Sequence, residues 1–252
     1  MTALEQNSTQ NVSVIDIRLL STAYGKVKVL HDIEFSVPAG ICCGLIGLNG
    51  AGKTTLIKVL LGLRDATSGT ASILGYAPGH AEAKAQIAYL PEKFDPPPFL
   101  TGYEFIRFTQ KLYGRSISQD AILEAASLLQ LQAEALPRRV TSYSKGMRQK
   151  LGLMAALLTD CQLVILDEPM SGLDPRARSL VKEAILTFQK RGRTVIICSH
   201  ILADLDEICA QIAVIHEGYL AYNGSPEGLK EQTGQNNLER AFLSCIDQRQ
   251  AA

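Results

Sequence analysis

The sequence predicts an α/β fold built around a mostly parallel β-sheet. Two apolar runs, 163–166 and 194–198, have the length and composition of buried strands, and a helical pattern at 175–190 separates them. A third apolar run, 41–46, leads through a glycine-rich loop into another helical pattern. Because buried strands that alternate with helices form parallel sheets covered on both faces, we expect these three runs to share one sheet.

Four further runs are predicted to be strands, because each is apolar or alternates in hydropathy and lies beside turn residues. These runs are 12–17, 33–37, 71–74 and 87–90. Pro175 suits the first turn of the helix predicted at 175–190, where its missing N–H costs nothing.

A long helical stretch interrupts this alternation in the middle of the chain. Helical patterns cover 103–136, with a break at Gly114, and 144–158. The prolines at 96–98 exclude a helix there, because the proline ring fixes φ and removes a backbone donor. We therefore expect an inserted α-helical subdomain at about 94–158.

The length and charge of the chain are those of an ordinary globular domain. Its 252 residues suffice for one elaborated domain, predicted at 12–245 with polar tails at 1–11 and 246–252. The formal net charge is zero and no dense run of lysine or arginine occurs, so we expect no nucleic-acid partner.

Cysteine usage and hydropathy point to the cytoplasm. The six cysteines lack C-x-x-C spacing, which favours reduced structural thiols over a disulfide framework or a metal site. The polar start of the chain does not resemble a secretory signal peptide. The longest apolar helical run, 151–158, is far shorter than the roughly 20 residues that span a bilayer. Any membrane association is expected to depend on a partner.

The glycine-rich loop at 47–54 is the clearest functional motif. It fits the pattern G-x-x-x-x-G-K-[S/T] and lies between a predicted strand and a predicted helix, which is the context that this phosphate-binding motif requires. Its glycines let backbone N–H groups surround phosphate oxygens, while Lys53 reaches the β- and γ-phosphates and Thr54 ligates Mg²⁺. The candidate nucleotide-binding residues here are Gly47, Asn49, Gly50, Ala51, Gly52, Lys53, Thr54 and Thr55.

Two carboxylates follow the buried run 163–166. Asp167 suits the acid that holds Mg²⁺ through water at the end of a strand near a phosphate loop. Glu168, the next residue, points to a different side and is the candidate for the group that orients the attacking water. Together with Lys53, these residues predict hydrolysis of a nucleoside triphosphate.

The segment Tyr143-Ser144-Lys145-Gly146-Met147 opens a predicted helix 23 residues before Asp167. It resembles the Leu-Ser-Gly-Gly-Gln signature of the nucleotide-binding subunit of ABC transporters. Ser144 and Gly146 match the signature, whereas the other three positions depart from it. The resemblance implies that Ser144 and Gly146 hold the γ-phosphate of the ATP bound by a second subunit.

Further motifs of this family occur in order along the chain. Tyr24 resembles the aromatic residue that stacks on adenine, and Glu92 stands where the family has a glutamine beside the Mg²⁺ site, so Glu92 is also a candidate metal ligand. Asp174 closes a segment similar to the loop that crosses the dimer interface, and His200 resembles the histidine that contacts the γ-phosphate. The resemblance extends from Val12 to Phe242, nearly the whole chain.

The resemblance implies a P-loop NTPase core with a mostly parallel sheet, an N-terminal antiparallel β subdomain and an inserted α-helical subdomain. It also implies an ATPase that uses ATP and Mg²⁺, forms a homodimer or heterodimer and drives membrane-spanning permease subunits from the cytoplasmic face of the membrane. Several segments are similar to the export-type branch of the family. They are 99–104, 113–114, 143–147 and 238–243.

One alternative shares every nucleotide motif. An ABC-type ATPase that assembles or remodels a protein complex without transport would differ only in the partner that it binds. A GTPase is disfavoured because the chain has no Asn-Lys-x-Asp guanine motif.

An apolar cluster beside Glu92 is predicted to belong partly to the core and partly to a groove for a permease helix. Its members are Phe94, Phe99, Leu100, Tyr103, Phe105, Ile106 and Phe108.

Overall fold

Two β-sheets organise the chain in a computed structural model, which describes residues 13–250 and their side chains to residue 248. The tail predicted at 1–11 therefore lies outside the described residues. The strands of the described chain are β1 (Ser13–Tyr24), β2 (Val27–Pro38), β3 (Cys42–Ile46), β4 (Ser68–Ile73), β5 (Ile87–Leu90), β6 (Leu163–Asp167), β7 (Thr194–Cys198), β8 (Gln211–His216) and β9 (Tyr219–Gly224).

The larger sheet has six strands in the order β5-β6-β7-β3-β8-β9. All neighbouring pairs are parallel except β8 and β9, so the predicted mostly parallel sheet is confirmed. Cys198 pairs with Leu45 on one side and with Asp167 on the other. The carboxyl ends of β3, β6 and β7 therefore meet at one edge of the sheet, where the loops that follow them lie together.

A three-stranded antiparallel sheet, ordered β2-β1-β4, covers part of this core. This finding confirms the expected antiparallel β subdomain, but β1 and β2 are longer than predicted, with 12 residues each. Leu19 adopts a positive φ of 47°, and the pairing of β1 with β2 shifts between Ile17 and Leu20. This irregularity breaks the two-residue alternation on which the sequence prediction relied.

Several of the helices begin at side chains that cap them. Thr101 and Glu104 form a capping box, and Ser118, Ser144 and Asp174 each accept a hydrogen bond from the first turn of their helix. The helices are α1 (Lys53–Leu60), α2 (Ala81–Lys84), α3 (Gly102–Leu112), α4 (Gln119–Leu128), α5 (Lys145–Leu158), α6 (Pro175–Lys190), α7 (Leu202–Ile208), α8 (Pro226–Thr233) and α9 (Leu238–Gln250).

The segment predicted as a helical subdomain contains α3, α4 and α5 and packs on the larger sheet. Alternate residues of β6 face two cores: Val164 and Leu166 lie in the core shared with these helices, while Leu163 and Ile165 face the antiparallel sheet and α1. The helix predicted to reach residue 136 ends at Leu128, because Gln130 adopts a left-handed φ of 49°. Turns and two short 3₁₀ helices, Ala133–Ala135 and Val140–Ser142, lead to α5.

The C-terminal part holds structure that the sequence did not predict. The β8–β9 hairpin extends the larger sheet, and α7, α8 and α9 follow the predicted core strands. The helix α9 continues to Gln250, into the stretch predicted as a polar tail at 246–252, and Phe242 and Ile246 are buried on one face of it. Within residues 13–250, no helix has the length and hydropathy needed to cross a membrane.

Candidate functional site

The phosphate-binding loop connects β3 to α1. Its backbone conformation and its close packing require glycine at positions 52 and 47. Gly52 has a φ of 110°, a conformation that side chains strongly disfavour, and a Cβ there would lie 2.6 Å from the Leu30 side chain. A Cβ on Gly47 would lie 2.3 Å from the carbonyl oxygen of Ile215. Close packing against β2 and β8 therefore fixes the path of this loop.

Lys53 begins α1 and points its ammonium group back over the loop. Its Nζ donates to the carbonyl oxygens of Gly47, at 2.7 Å, and Leu48, at 3.1 Å. Gly52 offers no side-chain cap, and the first turn of α1 carries no acidic residue. The amide groups at this helix N-terminus and the Lys53 ammonium thus form a positively polarised cradle suited to an anion.

Asp167 ends β6 and is buried beside this cradle, with 4% of its surface exposed. Burial raises the pKa of its carboxyl group to about 6, the nearby carboxylates of Glu92 and Glu168 add to the increase, and Lys53 opposes it. Three carboxyl groups thus lie close enough at this edge of the sheet to affect one another's ionisation.

Glu168 is held by contacts from three directions. Its Oε2 lies 2.7 Å from Nδ1 of the exposed His200, its N–H donates to the carbonyl oxygen of Cys198 at 3.0 Å, and its own carbonyl accepts from Nε2 of Gln149 at 3.4 Å. Its φ of 52° is unusual for a residue with a side chain. Burial raises the pKa of the Glu168 carboxyl, and His200 opposes that shift. The two backbone contacts hold the main chain at Glu168, and the contact with His200 directs its carboxylate.

These groups line one cleft of about 510 Å³, so the structure brings together most of the predicted catalytic and phosphate-binding residues. The lining residues are Asn49, Gly50, Ala51, Gly52, Lys53, Thr54, Thr55, Glu92, Asp167, Glu168, Ser171 and His200. Ser171 was not singled out from the sequence, although it lies in the segment 170–174, which is similar to the loop that crosses the dimer interface in this family.

The oxygen groups in this cleft fit Mg²⁺. No three acidic, histidine or cysteine side chains of residues 13–250 converge closely enough to hold a metal on their own. Mg²⁺ is usually held by one or two carboxylates together with substrate phosphates and water. The hydroxyl of Thr54 and the carboxylates of Asp167 and Glu92, which share the cleft, match that pattern.

Ser144, Gly146 and Asp174 lie elsewhere, in a second cleft of about 460 Å³ that also contains Met147 and Gly172. The Ser144 hydroxyl accepts from the Met147 N–H at 3.2 Å. Asp174 caps α6 by accepting from the Ala177 N–H at 2.9 Å. Within one chain, the structure does not bring these three residues to Lys53.

Tyr143, which departs from the family signature, is a core residue. It is 2% exposed, and its hydroxyl donates to the carbonyl oxygen of Ala135 at 2.8 Å. Gly102 makes room for it, since a Cβ at that position would lie 2.4 Å from the Tyr143 hydroxyl. The large side chain therefore stabilises the approach to α5 and leaves Ser144 exposed at the surface.

Two other predicted features lie outside both clefts. Tyr24 stands at the end of β1 with 44% of its surface exposed. The apolar cluster near Glu92 divides as expected: Phe105 and Ile106 are buried, whereas Phe99 and Phe108 are 69% and 47% exposed.

Comparison with known proteins agrees with this geometry. The ABC transporter family matches residues 30–171. An uncharacterised ABC transporter ATP-binding protein of Synechocystis sp. is 42% identical over 203 residues, which are 79% of this chain and 57% of that protein. The chain thus spans little more than half the length of that relative.

A second relative and a solved structure extend the comparison. Nod factor export ATP-binding protein I of Burkholderia orbicola is 36% identical over 88% of this chain and 74% of its own length. A solved structure of the ATP-binding subunit of an ABC transporter superposes with a TM-score of 0.84 at 31% identity, covering 92% of this chain and 99% of that one. This chain belongs to the ABC transporter family, among its ATP-binding proteins.

Proposed function

We propose that this protein hydrolyses ATP to drive an ABC transporter of the export type. The observation that carries the proposal is the single cleft in which the phosphate-binding loop, Asp167, Glu168 and His200 converge. Phosphoryl transfer to water depends mainly on positioning and on stabilisation of charge, and these residues supply both.

The binding step depends on the loop and on α1. Backbone N–H groups of the loop and of the first turn of α1 bind the phosphate oxygens, and Lys53 provides the positive charge for the β- and γ-phosphates. Thr54 and, through water, Asp167 would hold Mg²⁺, and Glu92 would add a carboxylate beside them. The ion, when bound, neutralises charge on the β- and γ-phosphate oxygens.

The hydrolytic step depends on Glu168. Its carboxylate accepts a hydrogen bond from, and orients, the water that attacks the γ-phosphate. His200, 2.7 Å from Oε2, keeps the carboxylate in this direction and contacts the γ-phosphate. The hydrogen bonds of the Glu168 backbone to Cys198 and Gln149 hold the main chain from which this side chain extends.

The complete site needs a second ATPase subunit. Ser144, Gly146 and Asp174 lie in a cleft of their own, and the exposed Ser144 hydroxyl is accessible to a partner. In the proposed dimer, ATP bound at Lys53 of one subunit contacts Ser144 and Gly146 of the other. ATP closes the dimer and hydrolysis opens it. Identical subunits would give an isologous interface, and a related second subunit would give a heterodimer.

Permease subunits are the proposed membrane partners. The exposed side chains of Phe99 and Phe108, which follow Glu92 along the chain, are suited to the apolar face of a short cytoplasmic helix. The relative named for Nod factor export supports the direction of transport. The protein would then act as a peripheral protein on the cytoplasmic face of the membrane.

Replacement of Lys53 by alanine tests the proposal. The variant should lose detectable ATP turnover and bind ATP more weakly, because a neutral side chain cannot supply the charge at the phosphates. Turnover is measured as phosphate release and affinity by titration calorimetry. Lys58→Ala, an exposed position in the last turn of the same helix, is the matched control and should retain both activities. Wild-type turnover in Lys53→Ala would refute the assignment of the phosphate site.

A further inference from the structure

The guanidinium group of Arg64 lies over the ring of Tyr24. Its guanidinium carbon is 3.5 Å from the centre of the tyrosine ring, within the range of a close cation–π contact. One face of the ring is thereby covered, and the residue as a whole remains 44% exposed. The contact joins β1 to the loop between α1 and β4.

Hydrogen bonds fix the guanidinium in this position. Its Nε donates to the hydroxyl of the buried Thr22 at 3.3 Å, and its Nη2 donates to the carbonyl oxygen of Ala23. The Thr22 hydroxyl in turn donates to the carbonyl oxygen of Asp65 at 3.0 Å. Because these bonds lie along the edge of the guanidinium, its face stays directed at Tyr24.

Arg64 also lies on the same stretch of chain as the phosphate site. The helix α1 begins at Lys53 and ends at Leu60, and Arg64 follows four residues later. Arg64 thus links the Tyr24 ring to the segment that runs from the phosphate-binding loop through α1. A nucleotide that binds both Tyr24 and Lys53 would meet two groups held at a defined separation.

We propose that Arg64 is a positioning residue for the adenine base, a role that rests on the proposed function. It covers one face of Tyr24 and holds the ring, so that adenine stacks on the opposite face. The ring then does not lose rotamer freedom when the base binds, because that freedom is already lost in the protein without nucleotide. Arg64 does not contact ATP itself and acts only through Tyr24.

The test compares ATP with inorganic tripolyphosphate, which has the phosphates but no base. Replacement of Arg64 by glutamine should weaken ATP binding about threefold to tenfold, in line with the loss of an exposed cation–π contact and its positioning effect. Tripolyphosphate affinity should stay unchanged. Arg18→Gln, which removes an exposed cation from β1 that pairs with Asp16 at 2.9 Å, should change neither affinity.

A double-mutant cycle with Tyr24→Leu shows whether Arg64 acts through the ring. In the Tyr24→Leu background, Arg64→Gln should have no further effect on ATP affinity. Equal loss of ATP and tripolyphosphate affinity, or additive losses in the cycle, would overturn the positioning role. Thermal unfolding shows whether each variant is folded. If Arg64→Gln is unfolded, Arg64→Lys replaces it, because lysine keeps the charge but loses the planar contacts. Arg64→Lys should then weaken the binding of ATP but not that of tripolyphosphate.

The outcomes separate this inference from the proposed function. If Tyr24→Leu weakens ATP binding and Arg64→Gln does not, the role of Arg64 is wrong and the adenine platform stands. If neither variant alters ATP affinity while Lys53→Ala abolishes it, Tyr24 is not the platform and Arg64 has no role through it. If the wild-type protein fails to bind ATP, the proposed function itself is wrong.

Discussion

Replacement of Glu168 by glutamine is the sharpest test of the hydrolytic mechanism. The amide has almost the shape of the carboxylate, so the variant leaves no cavity, and glutamine tolerates the φ of 52° no worse than glutamate. The amide nitrogen cannot accept a hydrogen bond from the attacking water, and the electrostatic contact with His200, now 2.7 Å, is lost. The change therefore isolates the chemical role of the carboxylate.

The expected effect is large for hydrolysis and small for binding. General-base contributions of about 10²- to 10⁴-fold correspond to about 2.7–5.4 kcal/mol of the activation free energy. Glu168→Gln should slow single-turnover hydrolysis by about 10²-fold or more, while ATP affinity changes little because Lys53 and the loop are intact. Because ATP then stays bound and unhydrolysed, the closed dimer should accumulate. Size-exclusion chromatography with ATP and Mg²⁺ would detect this dimer.

A carboxylate of the same region serves as the control for this variant. Asp95, which is exposed and lies 3.7 Å from Arg148, should tolerate replacement by asparagine without loss of turnover. A Glu168→Gln protein that stays monomeric with ATP and hydrolyses it at the normal rate would refute the assignment. Glu168 would then be an ordinary partner of His200.

Two further predictions concern the metal and the permease. Glu92→Gln should raise the Mg²⁺ concentration that gives half-maximal hydrolysis by about tenfold, because it removes a carboxylate beside Asp167. An unchanged dependence of hydrolysis on Mg²⁺ would exclude Glu92 from the metal site. Phe99→Asp should weaken co-purification with the permease by about tenfold or more while isolated ATPase activity persists. Leu63→Asp is the control, because Leu63 is 67% exposed against 69% for Phe99. Full assembly of the Phe99→Asp variant would exclude this docking site.

Local chemistry made much of the site predictable. The glycines of the phosphate-binding loop lie within a few residues of the strand before it and the helix after it. A short stretch of sequence therefore contains the whole motif. The fully buried strands β3, β6 and β7 are apolar on both faces and were identified by that feature. The two acids at the carboxyl end of this apolar run, Asp167 as the last residue of β6 and Glu168 directly after it, could be placed at the edge of the sheet for the same reason.

Elements without such local signals were missed. The outer parts of β1 and β2 depart from strict alternation because a bulge at Leu19 shifts the register. The helix α9 is mostly polar, and its helical character depends on burial of Phe242 and Ile246 against the rest of the fold. Short amphipathic helices are marginal on their own, so tertiary packing decides whether they form.

By itself, the sequence determined which residue types are available for phosphate binding and hydrolysis, and in which order they occur. The tertiary structure alone decided which of them meet. The register of β6 and β7 brings Glu168 to His200, 32 residues away, and packing of the α1–β4 loop on β1 brings Arg64 to Tyr24. It also separates Ser144 from Lys53 into different clefts. Contacts between residues distant in sequence depend on sheet register and on packing across the whole core, which no local pattern encodes.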